Sequence, residues 1–208
     1  MVKLLVVDQH PIITKGLELI FNTTRDVQFL GSVNDGEAIF DFIKKTPVDV
    51  ILCEIDLPKL NGITALRRIK KDYPSIKVIF YSAQPEEVYA VSAIKAGADG
   101  YIPKTTDIIT LKDAIVKVKA GGIYLSNELS QSLTQNTKSS GKTSFHKKLS
   151  TREIEVLKLL SSGKRNKEIA EELKINEKTV STYRARLMKK LNVTNLVDLV
   201  NKANNLSL

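Results

Sequence analysis

The first 120 residues alternate two hydrophobic periods. Residues 3–7, 27–33, 48–53, 78–81 and 100–102 are short, apolar and mostly β-branched, the pattern of strands covered on both faces. Between them, residues 12–22, 36–45, 63–73, 86–96 and 108–120 place apolar side chains at helical spacing. In the last of these, Ile108, Leu111, Ile115 and Val118 fall on one helix face. Five strands alternating with five helices predict an α/β fold, a doubly wound five-stranded parallel sheet. In such a sheet the site lies beyond the carboxyl ends of the strands.

The texture then changes. Residues 126–148 are polar and rich in Ser and Thr and read as a flexible linker with room for one helical turn at 129–133. It separates a domain of residues 1–125 from one of residues 149–208. Ser150-Thr-Arg-Glu153 opens the second domain as a capping box. A helix with Ile154, Leu157 and Leu160 inward stops at Gly163. A second helix covers 166–173 with Ile169, Ala170 and Leu173 inward. Asn176 caps a third over 177–191, with Val180, Leu187 and Leu191 inward, and a fourth spans 195–204. The second domain is therefore a small all-α, four-helix unit.

Composition adds two constraints. Hydrophobic residues make up 42% and charged residues 26% of 208, as in ordinary globular domains. No apolar run approaches the ~20 residues that span a bilayer, so no membrane partner is expected. The N-terminus lacks a small-residue cleavage site, so a signal peptide is not expected. Cys53 is the lone cysteine, which gives neither an internal disulfide nor a metal cluster. His10 and His146 are isolated and suggest no metal site. A cytoplasmic setting fits. Charge is uneven: residues 1–125 carry net +1 and residues 126–208 net +8. That asymmetry points the C-terminal part at a polyanion.

The third C-terminal helix fits that partner. Two short helices joined by Lys174-Ile-Asn176, the second longer and basic, have helix-turn-helix spacing. The outward face of the second carries Lys178, Thr179, Ser181, Thr182, Arg184, Arg186, Lys189 and Lys190. Its N-terminal half offers short donors for base edges, and its C-terminal half cations for phosphates. Lys164, Asn166 and Lys167 precede it and complete the expected double-stranded DNA contacts. The run Leu149-Ser-Thr-Arg-Glu-Ile-Glu-Val-Leu-Lys-Leu-Leu160, with Asn166-Lys-Glu-Ile-Ala170 and Thr179-Val-Ser-Thr-Tyr-Arg184, strongly resembles the LuxR-type DNA-binding domain. The resemblance implies that 179–191 is the recognition helix and that 195–204 helps pair two domains on DNA as a homodimer. Ser181 and Tyr183 depart from the Lys and His commoner in that helix, which bears on the base sequence read.

At the strand ends of the first domain stand Asp8 and Gln9, Glu54, Ser82 and Lys104. Carboxylates, a hydroxyl and a lysine are groups that hold a divalent cation and phosphoryl oxygens. Val6-Val-Asp-Gln-His-Pro11, Asp49-Val-Ile-Leu-Cys-Glu54, Tyr81-Ser-Ala83 and Lys95-Ala-Gly-Ala-Asp-Gly-Tyr-Ile-Pro-Lys104 resemble a response-regulator receiver domain. Both halves together resemble a NarL/FixJ-type response regulator, a DNA-binding transcription regulator and not an enzyme. By that resemblance Glu54 stands where an aspartate receives phosphate, Gln9 stands for the second acid of a Mg²⁺-binding pair, and Ser82 and Tyr101 form the switch.

Those two departures predict an atypical receiver. Glutamate reaches one methylene, ~1.5 Å, further than aspartate, and ~1 Å can cost ~100-fold where a reaction depends on positioning. Gln9 removes a charge, leaving Asp8 and Glu54 as weak metal ligands; Mg²⁺ binding is expected to be weak and no cofactor is required. Asp56 lies in the following loop, not at the strand end, and is the poorer substitute acceptor. Glu54 then either mimics a phosphoryl group within reach of Lys104 and Ser82, or pairs with Lys104 in an inert receiver. The alternatives are an ordinary regulator switched by a histidine kinase, and a receiver that mainly docks another protein.

Overall fold

A computed structural model of the chain describes residues 1–127, 129–130 and 149–204. The described part divides into two compact units. Most of the expected linker 126–148, with most of its helical turn, lies outside the described residues, as does His146.

From the N-terminus the elements run β1 (Val2–Val7), α1 (Pro11–Asn22), β2 (Val27–Val33), α2 (Ala38–Ile43), β3 (Val50–Cys53), α3 (Gly62–Asp72), β4 (Lys77–Ser82), α4 (Glu86–Lys95), β5 (Gly100–Pro103) and α5 (Ile108–Lys119). The strands are all parallel in the order β2-β1-β3-β4-β5, a doubly wound sheet. One face packs Leu4, Val6, Leu52, Ile79 and Ile102 against Leu17 and Phe21 of α1 and Leu111, Ile115 and Val118 of α5. The alternating positions Leu5, Val7, Ile51, Cys53, Phe80 and Tyr101 face the other side and are buried as well. Burial of both faces is why these strands read as continuous apolar runs.

Two elements differ from the hydrophobic pattern by more than one residue at an end. β3 begins at Val50; just before it, the Asp49 carboxylate accepts from the Lys3 amide at 2.9 Å and Lys119 Nζ at 2.6 Å. α2 is shorter than its pattern at both ends; at its entry Asp35 Oδ1 accepts from the amides of Glu37 at 2.9 Å and Ala38 at 2.8 Å.

The second unit holds α6 (Thr151–Ser161), α7 (Asn166–Leu173), α8 (Glu177–Leu191) and α9 (Leu196–Asn204). Ser150 and Glu153 form the reciprocal capping box on α6. Gly163, with φ 82°, turns the chain out of α6, a conformation that costs glycine nothing. Lys174 at φ 52° ends α7, and Asn176 caps α8 by accepting from the Thr179 amide at 2.7 Å. Ile154, Val156, Leu157, Leu160, Ile169, Leu173, Val180, Leu187, Leu191 and Leu199 are among its buried apolar residues.

Candidate functional site

The order of the sheet assembles the first site. β1, β3, β4 and β5 are consecutive neighbours, so their carboxyl ends meet at one edge. Asp8 follows β1, Glu54 follows β3, Ser82 ends β4, and Lys104 follows Pro103 of β5. The Lys104 amide donates to Ser82 O at 2.9 Å, which joins the last two strand ends. Gly62 lets α3 close under the site: a Cβ there would lie 2.3 Å from Glu54 O.

Lys104 Nζ bridges the two acids, 2.6 Å from Asp8 Oδ2 and 2.7 Å from Glu54 Oε2. Both acids are nearly sealed from solvent, at 2% and 4% exposure. Glu54 Oε1 accepts from Ser82 Oγ and, at 2.5 Å, from the Ile55 amide. Burial alone would lower the Lys104 pKa, but the hydrogen bonds from its ammonium to Asp8 and Glu54 outweigh it and hold the pKa above 10.5. The ammonium therefore stays charged and is shared by the two carboxylates.

The expected receiver residues thus divide. Asp8, Glu54, Ser82 and Lys104 meet, whereas Gln9 is exposed. Asp8 and Glu54 are hard oxygen donors suited to Mg²⁺, but their oxygens already hold Lys104, with which a cation would compete. Among the described residues no three His, Cys, Asp or Glu side chains converge as a metal site. His10 is not isolated: its Nδ1 lies 2.7 Å from Asp8 Oδ1, and its amide donates to the same oxygen at 2.9 Å. The turn from β1 into α1 brings it back over the strand end.

Tyr101 is fully buried and its hydroxyl donates to Gln84 O at 2.8 Å. Gln84 is a residue that sequence reasoning missed. Its amide donates to Ser82 Oγ at 3.1 Å and its side-chain Nε2 to Asp56 Oδ2 at 2.6 Å. A continuous chain of hydrogen bonds therefore runs from Glu54 through Ser82 and Gln84 to Tyr101. The only cue in sequence is a polar side chain two residues beyond Ser82. Asp56, the poorer substitute acceptor, is engaged by Gln84. Cys53 is buried, and burial pushes its thiol pKa far up, aided by the charges of Glu54 and Asp8; it is inert packing.

The second site is the outer face of α8. Lys178, Ser181, Thr182, Arg186, Lys189 and Lys190 are exposed, and Thr179 and Arg184 are partly so. Asn176, Lys178, Thr179, Thr182, Tyr183 and Arg186 line a shallow depression along the helix. The Arg186 guanidinium lies 6.0 Å from the centre of the Tyr183 ring, at the edge of cation–π range. Lys178, Arg184, Arg186, Lys189 and Lys167 carry no ion pair among the described residues, so their charge is available to a polyanion. Lys164 is paired with Glu172. Asn166 Nδ2 donates to Ser181 Oγ at 3.1 Å, so these two meet each other across α7 and α8. On α9, Leu196 and Val197 are exposed apolar side chains, an apolar edge on the element expected to pair two copies.

Comparison with known proteins is consistent across both units. Residues 4–116 match the family described as response regulator receiver domain, and residues 147–203 match bacterial regulatory proteins, luxR family. The Fimbriae Z protein of Salmonella typhimurium is 31% identical over 199 residues, covering 96% of this chain and 94% of that protein. Fimbriae Z protein of Escherichia coli K12 is 34% identical with the same coverage. Among solved structures, RcsB from Salmonella enterica serovar Typhimurium, bound to promoter rprA with the phosphomimetic BeF3-, superposes with a TM-score of 0.80 at 22% identity over 98% of both chains. That likeness is one of fold.

Proposed function

The chain belongs to the response regulators that join a receiver domain to a luxR-type DNA-binding domain, and from that premise we propose that its receiver works without ordinary aspartyl phosphorylation. It is a DNA-binding transcription regulator, not an enzyme. No helix among the described residues is long and apolar enough to cross a membrane, which is compatible with action in the cytoplasm on double-stranded DNA.

One observation carries the proposal: the Glu54 carboxylate already holds Lys104 and Ser82, the two groups that would hold phosphoryl oxygens. A buried carboxylate with charge-assisted partners is fixed in place, and an incoming group would have to displace it from them. Glu54 then acts as a built-in substitute for the phosphoryl group. Through Ser82 and Gln84 it is joined to Tyr101, which with Ser82 forms the switch by the receiver resemblance. The DNA-binding units act in pairs, since one recognition helix reads only a few base pairs and two copies fit a two-fold site.

The test is direct. The full chain is incubated with Mg²⁺ and a small-molecule phosphodonor, and its intact mass is measured. The expected result is no phosphorylated species. Phosphate on Glu54 or Asp56 would instead favour a regulator driven by a histidine kinase.

A further inference from the structure

The C-terminal unit contains an ion pair, buried at its carboxylate and exposed at its ammonium, that joins the recognition helix to its neighbour. Glu153, in the first turn of α6, is 3% exposed at its side chain. Its Oε2 accepts from the Ser150 amide at 2.7 Å, from Ser150 Oγ at 2.9 Å and from Lys190 Nζ at 2.8 Å. Burial pushes the Glu153 carboxyl up, but the hydrogen bonds from Lys190 and Ser150 outweigh it and hold it below its ordinary value. The carboxylate therefore keeps its charge, and an ionised group that far from water requires its partner.

Lys190 lies in the last turn of α8 beside Lys189. Neighbouring residues of an α-helix diverge by about 100°. An α8 that turns Lys189 outward thus turns Lys190 toward α6. Lys189 has no ion pair among the described residues, while Lys190 pairs with Glu153. At the other end of α8, Asn166 of α7 donates to Ser181 Oγ at 3.1 Å. A polar strut therefore stands near each end of the helix.

We infer that Lys190 is a positioning residue, not a phosphate contact: with Glu153 it sets the angle at which α8 is presented to DNA. The inference rests on the DNA-binding reading of this unit. Two lysines adjacent in sequence then have different work. Lys189 neutralises phosphate, whose effect is the same for every sequence. Lys190 aligns the base-reading side chains, whose effect is felt only where the base sequence is right.

The salt dependence of binding separates the two roles, because each phosphate contact adds close to one unit to the slope of log K against log salt. The full chain first selects a duplex from a random pool; that duplex and a scrambled one of the same composition are the probes. Lys189→Met is expected to weaken both duplexes alike and flatten the slope by about one unit. Lys190→Met is expected to leave the slope unchanged and weaken the selected duplex about tenfold, with little change for the scrambled one. Glu153→Gln keeps a capping side chain but loses the charge. It is expected to match Lys190→Met, and the double variant to be no worse than either single. Lys190→Arg, which retains the pair, is expected to restore wild-type binding.

A Lys190→Met slope that flattens by one unit, with both duplexes weakened alike, would overturn the inference. So would wild-type behaviour of Glu153→Gln. Should Lys190→Met fail to fold, lysine acetylation of the wild type decides the matter. Lys190 reacting at the same rate with and without DNA supports positioning, and its protection by DNA alone contradicts it. Wild type that binds neither duplex would overturn the DNA-binding reading beneath the inference, an outcome the lysine variants cannot imitate.

Discussion

Replacing Lys104 by methionine is expected to destabilise the receiver by about 3–5 kcal/mol, the cost of breaking a buried ion pair. Its ammonium is the shared partner of Asp8 and Glu54, which are 2% and 4% exposed. Without it, two carboxylates face each other in a site with little water. The unfolded chain has no such conflict, so the native state bears the loss. Urea unfolding of the full chain followed at the receiver checks this. A loss under about 1 kcal/mol, the scale of an exposed pair, would mean that water reaches the site freely. The pH dependence has a definite sign. The Lys104 pKa is raised above 10.5 in the folded protein. Its contribution is therefore complete below the unfolded value and is lost as pH rises through the folded one. Wild type should lose this increment in that alkaline range, and Lys104→Met should show no such loss there.

The second large effect is on activity. Glu54→Gln keeps the shape of the side chain and removes the charge. Hydrogen bonds to charged groups contribute about 1.5–3 kcal/mol. Loss of one such interaction at the latch corresponds to roughly ten- to hundredfold in the switch equilibrium, since about 1.36 kcal/mol is tenfold. Dimerisation of the full chain and its affinity for a selected duplex are expected to weaken by about that factor. Sedimentation and fluorescence anisotropy read the two. Glu54→Gln that pairs and binds DNA like wild type would reduce Glu54 to a stabilising partner of Lys104. Stability alone does not discriminate here, because both readings predict some loss; the dimer and the DNA affinity do.

Much of the fold and of the strand-end site is legible in the sequence. The alternation of short apolar runs with helical periods locates five strands and five helices. The residues at the strand ends, Asp8, Glu54, Ser82 and Lys104, follow from where each run stops. The C-terminal helices announce themselves by caps: Ser150 with Glu153, and Asn176 before the basic face of α8. Such signals are local, and local physics sets them. Pairing across sequence distance is what stays hidden. Nothing in the run Asp8-Gln9-His10 says that the histidine, not the glutamine, turns back to the aspartate. Gln84 joins Ser82, Asp56 and Tyr101 only because β3, β4 and β5 lie side by side. Lys190 looks like one more cation in a basic helix until Glu153, 37 residues earlier, is seen to hold it.

If Glu54 holds the receiver in its working state without a phosphoryl group, the phosphoryl analogue has nothing left to switch. The most direct measurement is the solution mass of the full chain by light scattering, with and without Mg²⁺ and beryllium fluoride. The expected result is a dimer in both conditions, unchanged by the analogue, because Lys104 and Ser82 are already occupied. A monomer that pairs only when the analogue is added would contradict it and restore a phosphorylation switch.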